Sequence, residues 1–184
     1  SYIDSQGQRQ QISFDRLILA AGSQVARPAV PGLAEHTFDV DKMESAVRLE
    51  QHLTGLAALP ASPARNTVVV SGGGFTGIET ATEMPARLRA ALGEDAEIRV
   101  VLVDRGERIG AALGEGIRPS IIEASDELGI EWIVGATVTA VDANGVTLAD
   151  GSRTTIGQLG IPALGRLRRL ARGDAGAHLR SAWV

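Results

Sequence analysis

The chain has 184 residues, a formal charge of −4, 44% hydrophobic residues and only 3% aromatic ones. That is apolar material for one domain or one and a half, with neither the positive charge nor the aromatic surface of a nucleic-acid binder. Cysteine is absent, which removes disulfides, thiolate nucleophiles, dithiol redox chemistry and cysteine-bound metals.

In chain order, residues 2–4 and 11–14 read as short strands around the polar turn "SQGQR". Residues 16–23, "RLILAAGS", read as a buried strand entering a Gly-Ser turn. "RPAVPG" at 27–32 holds two prolines and a glycine, so an extended loop is expected. Over 41–59, Met43, Ala46, Val47, Leu49, Leu53 and Leu56 form a helical stripe, and "PASPARN" follows as a linker. A clean alternation comes next. Thr67–Ser71 is expected as a strand and Phe75–Leu92 as a helix kinked or broken at Pro85. Residues 98–103, "IRVVLV", form an all-apolar strand of the kind buried on both faces. Residues 117–128 are a second helix and 131–134 a third short strand. This order predicts a Rossmann-like parallel βαβαβ unit, an α/β fold. Then "TVTAVDANGVTLADGSR" alternates around Asn144-Gly145 and Asp150-Gly151, both hairpin turn signals, so a small antiparallel meander is expected.

Charge is uneven. Residues 1–156 carry 13 Lys and Arg against 21 Asp and Glu, whereas 157–184 carry five Arg and one Asp. Such a tail reads as a separate, disordered or frameshifted segment. No apolar run approaches the ~20 residues of a membrane span. Nothing like a signal peptide opens the chain, and a start without initiator Met reads like the middle of a protein.

The densest signal is "VVVSGGGFTGIE". Gly72, Gly74 and Gly77 fit G-x-G-x-x-G between a strand and a helix. In that setting Gly72 permits the tight turn, Gly74 lets a pyrophosphate approach the backbone, and Gly77 lets the helix pack close to the strand. First-turn N–H groups and the helix dipole favour the phosphates. The bland alternative is a plain glycine turn; the strand, helix and second strand around it favour a dinucleotide. Asp104 ends the second strand, where the acidic residue of this fold accepts hydrogen bonds from the ribose hydroxyls. A carboxylate there repels a 2′-phosphate and favours NAD(H). Arg105 and Arg108 read as a solvated turn, although an arginine in this place also accommodates that phosphate. Glu79 near the helix start either gains from the dipole or faces the nicotinamide end. His36, His52 and His178 have no metal-ligating spacing, no Ser-His-Asp arrangement stands out, and no catalytic residue is assigned.

"FDRLILAAGSQVARPAVPGLAEHTFDVDKMESAVRLEQHL" followed by "NTVVVSGGGFTGIETATEMPARLRAAL" resembles the FAD-dependent pyridine nucleotide–disulfide oxidoreductase superfamily, with type II NADH dehydrogenases as the nearest likeness. The resemblance covers about residues 10–156. It implies an NAD(H)-binding domain set into a larger FAD-binding domain, with electrons passing from NADH to flavin and then to a quinone. It implies that Gly72, Gly74, Phe75, Thr76, Gly77 and Glu79 line the NADH site, that Asp104 binds ribose, and that Ala21, Gly22 and Ser23 of "LAAGS" lie against FAD. It divides the chain into a partial FAD-binding segment (1–32), a helical connection (33–65), the NAD(H)-binding domain (66–156) and an atypical basic tail (157–184). The family's own FAD-binding glycine motif, its C-terminal Gly-Asp motif, its membrane-associated helices and its cysteine pair do not occur here. The sequence is therefore expected to be a fragment carrying the NADH half and holding FAD weakly by itself. Its expected place is the cytoplasm, or the inner face of a membrane in an intact protein. A non-catalytic dinucleotide-binding or sensor module, or an inactive fragment, is the alternative.

Overall fold

A computed structural model describes residues 1–16, 18, 23–25, 28–155, 160–162 and 167–169, with 23–25, 153–155, 160–162 and 167–169 by backbone alone. The chain divides into two compact units, the larger running from Gln24 to Arg168.

In the smaller unit, β1 (Tyr2–Ile3) and β2 (Arg9–Gln10) form an antiparallel hairpin, Tyr2 opposite Gln10 and Ile3 opposite Arg9. The second strand therefore precedes the expected 11–14. Asp4 is the cause: its carboxylate accepts the Gln6 and Gln8 N–H groups at 2.9 Å and the Gln10 side-chain amide at 3.1 Å. These bonds close the turn early and leave Ile12 and Phe14 exposed. Of the strand expected at 16–23, residues 17 and 19–22, including Ala21 and Gly22, lie outside the described residues. Ser23 opens strand β3 (Ser23–Val25).

In the segment read as a helical connection, the larger unit has a short helix, α1 (Leu33–His36), ahead of the expected stripe, then α2 (Met43–Gly55), extended by a 3-10 turn at Leu56–Ala58. Only part of the α2 stripe is covered: Leu49, Leu53 and Leu56 are buried, whereas Met43 and Val47 are exposed. Next come β4 (Thr67–Ser71), α3 (Phe75–Leu92), β5 (Arg99–Val103), α4 (Arg118–Leu128) and β6 (Ile130–Ile133). The meander is β7 (Val138–Asp142), β8 (Gly145–Leu148) and β9 (Arg153–Thr155), paired in that order and antiparallel. Two short strands close the described chain, β10 (Gly160–Pro162) and β11 (Leu167–Arg169).

The central sheet is parallel and four-stranded, in the order β10-β4-β5-β6. The valine runs make sense on this sheet, because side chains alternate between two covered faces. Val68, Val70, Val100 and Leu102 face Leu49, Leu53 and Leu56 of the α2 region and Ala81, Met84 and Leu88 of α3. Val69, Val101 and Val103 face Leu33 of α1 and Val138, Val141, Val146 and Leu148 of the meander. The connection at 33–65 thus supplies core to both faces. Each such side chain, fully buried, contributes about 1.5–3 kcal/mol.

Pro85 does not break α3, which is continuous from Phe75 to Leu92. Proline removes the bond to the carbonyl of Ala81, but Ala81, Met84, Pro85 and Leu88 are all buried on the packed face, and that burial outweighs one missing bond. Inside the segment read as a tail, Gly160–Pro162 form β10, with Gly160 opposite Val69 and Pro162 opposite Ser71.

Candidate dinucleotide site

Strands β4, β5 and β6 follow one another outward through α3 and α4, and the chain then returns to the opposite side of β4 as β10. The strand order reverses at β4. In open α/β sheets, ligands bind outside the carboxyl ends of the strands at such a point. The glycine turn leaves β4 at this place.

Gly72 sits at φ 115°, a conformation that side chains other than hydrogen rarely adopt. Its N–H donates to the Val103 carbonyl at 2.8 Å, which ties the turn to β5. Gly74 is the N-cap of α3 and no side chain caps the helix. The first bond of the helix runs from Ile78 N to Gly74 O at 3.0 Å. Among the described residues, the N–H groups from Gly73 to Gly77 have no acceptor. A methyl group at Gly74 would meet nothing within 4 Å. The space over the helix start is therefore open and lined with donors, as an anion requires. Gly77 is buried in the first turn of α3, while Phe75 and Thr76 are exposed.

Asp104 follows β5, its N–H bonded to Ile133 O at 2.9 Å and its carbonyl to Ala136 N at 3.0 Å. The backbone is thus pinned on both sides. Its half-buried carboxylate reaches back to the glycine turn: a Cβ at Gly73 would lie 2.7 Å from Asp104 Oδ2 and 3.0 Å from Trp132 Cζ3. A Cβ at Gly106 would lie 2.9 Å from the same oxygen. No donor among the described residues reaches this carboxylate, so its lone pairs are open to a ligand diol. Sequence reasoning passed over Gly73, Gly106 and Trp132. The first occupies a variable place in the motif, yet here any side chain would displace the Asp104 carboxylate and crowd the Trp132 edge.

The arginines divide. Arg108 binds Glu115 at 3.0 Å, and Glu115 also holds Arg118 at 3.3 Å, whereas Arg105 is exposed in the turn after Asp104. Glu79 is the fifth residue of α3, and the first turn holds no acidic residue. Its side chain is exposed and lines a groove between α2 and α3 with Leu49, Leu53, Thr80 and Met84. Among the described residues, no group of three His, Asp or Glu is placed to hold a metal ion, and no helix is long and apolar enough to cross a membrane.

Open donors at a helix start, a glycine turn at the switch point and a free carboxylate at the end of the next strand together fit a dinucleotide. Comparison with known proteins points the same way. An NADH dehydrogenase-like protein of Mycobacterium tuberculosis is 49% identical over 159 residues, which is 82% of this chain and 40% of that protein. Demethylphylloquinone reductase of Synechocystis is 34% identical over 139 residues, covering 76% of this chain and 32% of the reductase. Among solved structures, NDH2 from Plasmodium falciparum in complex with NADH superposes with a TM-score of 0.68 at 19% identity, over 89% of this chain and 37% of that one, a likeness of fold. The chain spans less than half the length of these relatives. The pyridine nucleotide–disulphide oxidoreductase family matches residues 2–166, nearly the whole sequence, and the chain belongs to that family.

Proposed function

We propose that this chain is the NAD(H)-binding portion of a flavin-dependent NADH dehydrogenase that passes hydride from NADH to FAD and on to a quinone-type acceptor. The observation that carries the reading is the Asp104 carboxylate, pressed against Gly73 and left without a donor beside an uncapped helix start. The open N–H groups of α3 bind the pyrophosphate, and the room over Gly74 lets it come near the backbone. Asp104 accepts hydrogen bonds from the adenosine ribose diol. Flavin, when bound, supplies the hydride acceptor. The residues of this chain hold and orient the dinucleotide, and the step needs no acid or base from them. Ala21, Gly22 and Ser23 are proposed to lie against the flavin. Glu79 is proposed to face the nicotinamide end.

The test is a Gly74→Val variant. The backbone there is extended and the space is free, so the variant folds as the wild type does. Its NADH affinity, measured by calorimetry, is expected to fall by about tenfold or more, since ~1.4 kcal/mol of lost contact has that effect. Unchanged affinity in the folded variant would place the site elsewhere. The same titrations on the wild type are expected to show tighter binding of NADH than of NADPH, because Arg108 is engaged by Glu115 and Asp104 repels a 2′-phosphate. The reverse order would make Arg105 the deciding residue.

A further inference from the structure

We infer that Trp132 is a positioning residue for this site: its indole closes the space beside Gly73 and so fixes the place of the Asp104 carboxylate. The role rests on Asp104 being the ribose carboxylate.

Trp132 stands on β6 opposite Leu102, so it shares the sheet face that carries α3 and is half-buried against that core. Its ring is anchored at one end and abuts the glycine turn at the other. At the pyrrole end, Nε1–H donates to Ser125 Oγ at 3.0 Å. The Ser125 hydroxyl, buried on α4, donates in turn to the Ile121 carbonyl at 2.7 Å. At the benzene end, Cζ3 lies 3.0 Å from the point where a Gly73 Cβ would stand, and Asp104 Oδ2 lies 2.7 Å from that same point. The indole therefore spans from α4 to the glycine turn as a rigid strut. A buried tryptophan N–H requires an acceptor, and Ser125 supplies one that also fixes the ring's orientation.

The strut matters because no hydrogen bond from the described residues holds the carboxylate, although the Asp104 backbone is pinned. On that pinned backbone, packing sets the side chain's position, beside Gly73 and Gly106, with the edge of Trp132 closing the space at Gly73. The backbone bonds of Asp104 and Gly72 keep both segments in place, so a smaller or tilted ring leaves space beside Gly73 into which the Asp104 side chain turns, and the carboxylate shifts relative to the helix start. Two parts of one ligand must be met at once, the pyrophosphate by α3 and the ribose by Asp104, so a small displacement costs affinity without removing any contact group.

The experiment is a pair of double-mutant cycles on the full chain, with Trp132→Phe and Ser125→Ala each made in the wild-type and the Asp104→Asn backgrounds, and NADH dissociation constants measured by calorimetry. Circular dichroism checks folding. Asp104→Asn alone is expected to weaken NADH about tenfold, Trp132→Phe about fivefold and Ser125→Ala about twofold. In the Asp104→Asn background, the second change should have no further effect, because the carboxylate it positions is gone. Losses that simply add would show that Trp132 acts only on the general stability of the unit; that overturns the inference and leaves the ribose role intact. An Asp104→Asn variant that binds NADH like the wild type would overturn the ribose role and this inference with it. Should Trp132→Phe fail to fold, Ser125→Ala decides: it removes the acceptor and leaves the ring, and undiminished affinity in it refutes the strut.

Discussion

The two ends of the central sheet treat polar groups in opposite ways. At the amino end of the strands, the groups are joined to one another. The Asn66 side chain donates to Glu97 O at 2.8 Å and accepts from Arg65 Nε at 2.9 Å, its carbonyl receives the Arg99 N–H at 3.0 Å, and Thr67 Oγ1 donates to Pro63 O at 2.7 Å. Arg99 grips Glu131 with two bonds, at 2.8 and 2.6 Å, across β5 and β6. At the carboxyl end, the helix start and the Asp104 carboxylate have no partners among the described residues. Open to solvent, such helix-start groups cost little unpaired, and on the proposed function they are the surface that meets the ligand. The closed end holds the strands in register; the open end is what that register presents.

The largest change should come from breaking the open end sterically. Gly73→Val places a side chain on Asp104 Oδ2 and the Trp132 edge. It is expected to lower stability by about 1–3 kcal/mol, the range for overpacking, and also to abolish measurable NADH binding. Chemical denaturation and calorimetry check the two parts. At the closed end, Asn66→Ala removes the bond to Glu97 O and should cost about 0.5–1.5 kcal/mol of stability. NADH affinity should stay within error of the wild type, and a large loss would mean that the two ends are coupled. The smallest effect concerns pH. The hydrogen bond from Arg99 holds the Glu131 carboxyl below its ordinary range. A lowered folded-state pKa contributes stability that is present above the unfolded pKa and lost as pH falls through the folded one. Both side chains are about half exposed, so solvent limits the term to about 1 kcal/mol or less. Denaturation of wild type and Glu131→Gln across the acid range should converge at low pH.

What the sequence displayed is what local pattern controls. Strand Thr67–Ser71 and helix Phe75–Leu92 have the expected bounds, because a valine run, a glycine turn and a long apolar stripe each declare their own period. The meander declares itself by its Asn-Gly and Asp-Gly turns. Elements fixed by distant partners were not legible. Gly-Ile-Pro at 160–162 has no strand pattern of its own and is a strand only because β4 offers it an edge. Helix α1 has four residues, too few to show a period. Pro85 carries a break signal that burial overrides. In the site, Gly72, Gly74, Gly77 and Asp104 could be read from motif and strand end. The need for glycine at 73 could not, since it arises where the turn, the end of β5 and a side chain of β6 converge.

The strand order has a consequence for how the unit comes into being. β4 borders β5, which follows it after one helix, and β10, which arrives only after every other element of the sheet. The first three strands can assemble through neighbouring segments as the chain leaves the ribosome. The pairing of β10 with β4 must wait for a long loop to close, with the entropic cost and delay of non-local pairing. The glycine turn, the start of α3, Asp104 and Trp132 all belong to the part that assembles first, so the candidate site takes shape before the edge strand docks. On the proposed function, a dinucleotide that binds this early part stabilises it by mass action, and so acts as a folding effector while β10 has still to dock.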